Sequence, residues 1–302
     1  MQRPSTVPFH TVLLSSLAGL LLAGCASDVA PVRTFAEQTQ KLSVSFDPML
    51  AGTFHSCSDR ALRKRLVLSE HFDAQASEQA ARADCAPIAE ASVAIGQLND
   101  VLLRYAQTLA AVADEKLPVH KEEFTGLGDA LGGLAQADGE TPLLDADRLY
   151  KVVKLSEHLS RLATQRLQKS ALRELLEEQE AVTIVSNALK EYAQRNYRAG
   201  LQDELRDLAL LRGAVDAAAP REPLAANYIR TRLHLEGRQL QEREKIVAAY
   251  VAAIDALQAS VAVLRANLDR LQAPELEQQL AAFSSNVAAL QKQAAYYAPA
   301  RW

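Results

Sequence analysis

Apolar residues recur along most of the chain at alternating steps of three and four residues. Three such series are Ile88, Ala91, Ile95, Leu98, Leu102, Tyr105, Leu109 and Val112; Val247, Tyr250, Ile254, Leu257, Val261, Leu264, Leu268 and Leu271; and Leu276, Leu280, Phe283, Val287, Leu290, Ala294 and Tyr297. This spacing places the apolar side chains on one stripe of an α-helix, whereas a half-buried strand needs a step of two. No convincing strand pattern occurs. We therefore predict an all-α fold, an elongated antiparallel bundle of long helices with coiled-coil-like stripes.

Prolines and glycines divide this pattern into separate helices. The predicted helices span about residues 32–71, with a break at Asp47-Pro48, then 87–115, 121–136, 143–168, 171–216, with a bend near Gly200, then 224–271 and 274–297. Proline tends to occupy a first helical turn or a helix boundary, where its missing N–H group is tolerated. We interpret residues 32–136 as an N-terminal helical hairpin with a short glycine-containing helix, and residues 143–302 as a long-helix bundle. One continuous body formed by both segments is the alternative.

The first 24 residues differ from the helical body. Arg3 is followed, with no acidic residue, by an uncharged apolar run from Thr11 to Leu22. That run is too short to cross a bilayer as a helix, which takes about 20 apolar residues. A basic start, a short apolar run and small residues at its end are typical of a secretory signal peptide. We predict a signal peptide at residues 1–24, with a buried core helix as the alternative.

The apolar run ends at Leu22-Ala23-Gly24-Cys25, which resembles the lipobox of bacterial lipoprotein precursors. The resemblance implies that the signal is cut before Cys25, that the Cys25 thiol receives a diacylglycerol and that the new amino group is acylated. Several acyl chains such as palmitate form a durable anchor in membrane lipid, because each buried CH₂ group contributes about 0.8 kcal/mol. Residues 25–31 would then form a lipidated linker. A plain secreted protein with an unmodified Cys25 is the alternative.

Ala26, the residue after the predicted lipid acceptor, bears on the destination. In this class of lipoprotein an aspartate at that position signals retention in the inner membrane, and Asp28 lies two positions too late. The resemblance therefore favours the outer membrane, facing the periplasm, over the inner membrane. Removal of residues 1–24 leaves 32 basic and 37 acidic residues, a net charge of −5. A mildly acidic, exported chain argues against nucleic acid as a partner.

Two cysteines remain once Cys25 carries lipid. An even number of cysteines in an oxidising compartment suggests a disulfide, here between Cys57 and Cys85. We interpret the span between them as the turn end of a helical hairpin, whose two ends can approach each other. Closing a loop of 29 residues would stabilise the fold by about 3.6 kcal/mol in the chain-entropy model. Two separate buried thiols are the alternative.

A cluster of cations follows Cys57 and consists of Arg60, Arg63, Lys64 and Arg65. Concentrated positive charge can meet anionic lipid headgroups, acidic sugars of the envelope or an acidic protein face. Most charge runs on helices are instead solvated faces. We keep these four residues as a candidate patch for an anionic partner, with the solvated face as the alternative.

Patterns that carry catalytic or metal chemistry are missing from the sequence. The histidines of the processed chain are His55, His71, His120, His158 and His234, and none forms a helical zinc pair or a Glu-x-x-His pattern. The stretch GLGDALGG at 126–133 lacks the Lys-Ser/Thr pair and the preceding strand of a phosphate-binding loop. No local motif marks a serine, Cys57 or Cys85 as a nucleophile. We predict no metal, no cofactor and no enzymatic activity, with an enzyme of dispersed catalytic residues as the alternative.

Two hypotheses of function follow from these observations. The first is a lipid-anchored periplasmic protein that acts as a spacer or docking module, with an unidentified envelope protein or polymer as its partner. The second is a carrier or sensor of small apolar ligands, with a cavity between helices capped by residues 124–136. The oligomeric state stays open, because the apolar stripes can pack within one chain or between two.

Overall fold

The computed structural model describes residues 29–68, 71–114, 126–135, 140–162 and 169–296. Its α-helices are α1 (Ala30–Val44), α2 (Asp47–Leu68), α3 (Ala74–Asp84), α4 (Ala86–Ala113), α5 (Leu127–Gly132), α6 (Ala146–Leu162), α7 (Lys169–Glu177), α8 (Gln179–Tyr192), α9 (Arg198–Ala218), α10 (Pro223–Ala266) and α11 (Pro274–Tyr296), and a π-helical turn (Ala193–Tyr197) joins α8 to α9. The described ranges contain no β-strand, only one isolated bridge between Ala135 and Pro142, so the all-α prediction is confirmed. The predicted signal peptide, Cys25 and His120 lie outside the described residues.

The break between α1 and α2 falls one to two residues before the predicted position. Ser45 and Phe46 form the turn, and Asp47-Pro48 already belongs to the first turn of α2. Proline fits there because a first-turn N–H group has no partner inside the helix. The turn carries Phe46 into the core, where its ring centroid lies 5.2 Å from that of Tyr250 and 5.9 Å from that of Tyr192.

The segment between the two remaining cysteines contains a helix of its own. The side chain of Asp73 caps the start of α3 by accepting a hydrogen bond from the Ala76 N–H group at 3.0 Å. The helix ends at Asp84, and Cys85 alone separates it from α4. Ala81 is the buried residue of α3. The hairpin turn predicted here is therefore a short helix that lies against α2.

The predicted single helix over residues 171–216 is divided in the structure. A boundary at Glu178 separates α7 from α8, and the π-helical turn lies just before Gly200, where the sequence predicts a bend. The turn directs Tyr197 against Gly52 of α2, and a Cβ atom at Gly52 would lie 2.6 Å from the Tyr197 ring. Gly200 likewise approaches Ser56 of α2. Both glycines allow α2 to pack closely on this part of the chain.

The longest described helix is α10, with 44 residues, or about 66 Å at 1.5 Å per residue. Among the described residues, it alone is long and apolar enough to cross a membrane by length and composition. Half of the most apolar 18-residue segment of α10 is buried inside the protein. Tyr250, Ile254 and Leu257 are fully buried. We interpret α10 as the central helix of the bundle.

One hydrophobic core includes side chains from both segments that the sequence separates. Phe35 of α1 and Phe283 of α11 lie with ring centroids 5.8 Å apart, and Leu102 and Leu257 belong to the same cluster. Contacts join α1 to α10 and α11, and α4 to α6, α7 and α8. The described parts of residues 32–136 and 143–302 therefore share their interior.

The two ends of the bundle are formed by different helix termini. Ala30 and Pro31, where the described chain enters, line a surface pocket together with Leu271 and Glu277. The chain thus enters the bundle where α10 ends and α11 begins. The start of α10 lies at the opposite end, beside the C-terminal halves of α2 and α9, as the ion pairs Arg63–Glu236 and Arg230–Asp216 show.

Candidate interaction surface

Cys57 and Cys85 fix the helical hairpin that precedes α4. Their sulfur atoms lie at disulfide distance, 2.00 Å, with Cα atoms 6.0 Å apart. Cys57 belongs to the middle of α2, whereas Cys85 lies at the junction of α3 and α4 and is fully buried. The geometry agrees with the predicted pair and joins α3 to α2.

Three cations of the predicted anionic-partner patch are engaged within the chain. Arg60 pairs with Asp203 at 2.5 Å and with Asp207 at 3.0 Å. Its neighbours bind other carboxylates: Arg63 contacts Glu204 at 2.9 Å and Glu236 at 3.6 Å, and Arg65 contacts Asp84 at 2.7 Å. Only Lys64 of the four is exposed with no carboxylate partner among the described residues. The arginines therefore connect helices, and the anionic partner stays a prediction that their contacts do not support.

These ion pairs continue a line of close contacts along one face of α2. Gly52, Ser56, Arg60 and Arg63 follow one another at steps of three or four residues, as one face of a helix requires. They meet Tyr197, Gly200, Asp203 and Glu204 in turn. Both segments advance together, so α2 and α9 run in the same direction, and the pairs Arg198–Glu244 and Asp216–Arg230 show that α10 runs antiparallel to α9. We call this set of contacts the α2–α9 latch.

A polar pocket of about 340 Å³ lies beside the latch, between α2, α9 and α10. Glu204, which lines it, is 1% exposed, and its Oε1 atom has no hydrogen-bond partner among the described residues. Burial raises the pKa of the nearby Tyr197 hydroxyl; Arg243 opposes the rise and Glu204 adds to it. The other charged residues of the lining are Asp59, Arg63, Arg232, Glu236 and Arg243. Such a lining does not suit an apolar ligand.

The other described residues that the sequence singles out contact neighbouring helices or lie in the core. His158 contacts Glu178 through Nδ1 at 2.9 Å and Glu174 through Nε2 at 3.7 Å, which connects α6 to the α7–α8 boundary. No group of three or more metal-binding side chains occurs within the described ranges. In α5, Leu127 and Leu131 are buried in the core. Neither the polar pocket nor the pocket of about 440 Å³ at the chain entry adjoins α5.

Exposed apolar side chains are concentrated at the end of the bundle opposite the chain entry. Of the twelve large apolar residues that are exposed in the described part of the chain, nine lie in residues 57–84 and 205–240, about a quarter of its length. They are Leu66, Val67, Leu68, Phe72, Leu210, Leu224, Tyr228, Ile229 and Leu235. We call these nine side chains the distal surface. Leu224 is 84% exposed and Leu68 is 71% exposed.

The distal surface is not apparent from the helical periodicity. Leu224, Tyr228 and Leu235 share a helical face of their own, at steps of four and seven residues, and an apolar stripe of this kind predicts burial whether or not a neighbour covers it. The sequence does contain one signal, since Leu66-Val67-Leu68 is a run of three apolar residues at the end of a basic helix. Consecutive helical residues point about 100° apart, so one core face cannot bury all three.

No protein-family model, no curated protein and no solved structure matches the chain.

Proposed function

We propose that this protein is a lipid-anchored helical spacer of the bacterial cell envelope that presents a docking surface at its far end. One observation carries the proposal. The described chain enters at one end of the bundle, and the distal surface lies at the other end, beyond most of the length of α10. A tether at one end and exposed apolar side chains at the other suit a protein that holds a contact site away from a membrane.

The tether in this proposal is the acylated Cys25 predicted from the lipobox-like sequence. Only Ala26, Ser27 and Asp28 separate it from the first described residue. An extended chain spans at most about 3.6 Å per residue, so four residues would hold the bundle within about 14 Å of the anchor. The proposed location is the outer membrane, with the body in the periplasm.

The α2–α9 latch and the cysteine pair support the docking role. They hold α2, α3, α9 and α10 together beneath the distal surface through Gly52, Arg60, Arg63 and Cys57. A surface that is rigid before binding loses less conformational entropy when a partner arrives. We propose a non-enzymatic role. No observation in the described residues favours the ligand-carrier hypothesis, which stays a prediction.

The docking role is tested by photo-crosslinking in living cells. A photo-reactive residue replaces Tyr228, which is 68% exposed on the distal surface, or Tyr150, which is 64% exposed on α6. We expect an adduct with an envelope component at position 228 and none at position 150. Equal adducts at both positions, or none at either, would contradict a dedicated docking surface.

The anchor is tested in the same strain with Cys25→Ala. We expect loss of fatty-acid labelling, release of the protein from the membrane fraction and loss of the adduct at position 228. The double variant Cys57→Ala, Cys85→Ala is the control, because it removes the other two thiols and should keep the label. Persistent labelling of Cys25→Ala would disprove the anchor. The docking surface would then still be tested independently by the adduct at position 228.

A further inference from the structure

We propose that the partner of the distal surface is an anionic lipid surface. Combined with the anchor, this contact would let one chain connect two membranes. Only that combined role rests on the proposed function, because the lipid contact itself depends on described residues alone.

The arrangement of the apolar side chains fits a fluid surface better than a protein pocket. Leu66, Val67 and Leu68 are consecutive helical residues and project in three directions around the end of α2. Leu224, at the second position of α10, projects from the end of another helix. A rigid partner would need a separate cavity for each direction, whereas lipid can surround all of them.

Charge at this end favours anionic headgroups. Residues 57–84 and 203–240, which include the latch carboxylates Asp203 and Glu204, contain 11 basic and 11 acidic residues, whereas the processed chain as a whole has a net charge of −5. Four exposed cations of this end, Lys64, Arg212, Arg221 and Arg238, have no carboxylate partner among the described residues, against three exposed carboxylates without a cation, Asp59, Asp73 and Glu222. Each cation near an anionic membrane strengthens binding about fivefold, since its contribution is roughly 1 kcal/mol.

The same charges disfavour a second copy of the chain as the occupant. Two distal surfaces in contact would bring their unpaired cations together, and like charges repel across an interface. Tyr228 and Phe72 are both exposed at this end. Aromatic side chains are accommodated at membrane–water interfaces, and the tyrosine hydroxyl can remain in contact with water there.

The test uses the chain from Cys25 onward with Cys25→Ala, which keeps every described residue and carries no acyl chain. Flotation with vesicles of phosphatidylglycerol and phosphatidylcholine measures partitioning, and vesicles of phosphatidylcholine alone provide the comparison. We expect at least tenfold stronger binding to the anionic vesicles, and weaker binding at high salt because salt screens the cations.

Two matched double variants locate the contact. Leu66→Ser with Leu68→Ser should weaken binding to the anionic vesicles at least tenfold, and Lys64→Gln with Arg221→Gln should weaken it about 25-fold if each cation contributes about fivefold. Val44→Ser with Tyr150→Ser removes two exposed apolar side chains elsewhere and should leave binding unchanged. Circular dichroism confirms that each variant keeps its helices.

Absence of binding to anionic vesicles would overturn the proposal, as would equal losses in the distal and control variants. An acidic protein crosslinked at position 228, without any vesicle binding, would identify a protein as the occupant instead. Loss of the Cys25 anchor would leave this measurement unchanged, so the two proposals fail separately.

Discussion

Gly52 lies within α2, where glycine is normally less favourable than alanine by about 1 kcal/mol. Glycine fits at this position because any side chain would clash. A Cβ atom would lie 2.6 Å from the ring of Tyr197, which is itself buried in the π-helical turn. The latch therefore depends on a missing side chain as much as on its ion pairs. The latch also depends on a compensated charge. The carboxylate of Glu204 is buried, and this is tolerated because Arg63 lies 2.9 Å away.

Gly52→Ala should lower the free energy of unfolding by about 1–3 kcal/mol, because the tyrosine ring and α2 must shift apart. Gly213→Ala is the control. Gly213 is an exposed helical residue of α9, and a Cβ atom added there would meet open space, so alanine should stabilise the fold by up to about 1 kcal/mol. Urea denaturation of both variants measures the difference. Stabilisation by Gly52→Ala would show that the close contact does not constrain α2.

At the scale of elements, α3 and α2 depend on different interactions. Ala81 is the buried residue of α3, so the link between Cys57 and Cys85 supplies much of what holds this helix in place. By contrast, α2 is also held by the arginines of the latch. Loss of the disulfide should therefore affect α3 more than α2.

Reduction of the purified protein, or the variant Cys57→Ser with Cys85→Ser, should lower stability by about 3.6 kcal/mol in the chain-entropy model. Amide exchange should rise in α3 and change little in α9 and α10, because local opening is governed by local contacts. The single variant Cys85→Ser should match the double variant, since either change removes the same bond. Unchanged exchange in α3 would show that packing alone holds the hairpin.

Periodicity predicted the helices well because a stripe of apolar residues is a local property of the chain. The core positions Ile95, Leu102, Ile254 and Val287 are buried as their spacing requires. Pairing between distant residues has no such local signal. Arg63 and Glu204 are separated by 141 residues, so the sequence could not distinguish an internal latch from a patch for a partner. The exposure of Leu224 has no local signal either, because it depends on whether another helix covers that side chain.

At the scale of the whole molecule, the shared core predicts cooperative unfolding. Phe35 comes from the N-terminal segment and Phe283 from the C-terminal one, and both are fully buried in one cluster. Neither segment can lose its structure without exposing apolar surface of the other. Calorimetry should therefore show one transition, with equal calorimetric and van't Hoff enthalpies.

Phe35→Ala tests this coupling between the segments. Removing a buried phenylalanine should destabilise the fold by about 3–5 kcal/mol, and the single transition should move to lower temperature as a whole. Phe72→Ala is the matched control, because Phe72 is exposed on the distal surface and its loss should change stability by no more than about 0.5 kcal/mol. Two separate transitions, with Phe35→Ala lowering only one of them, would show that the segments are independent domains. A single transition would support the proposed rigid spacer, because both ends of the bundle would then belong to one cooperative body.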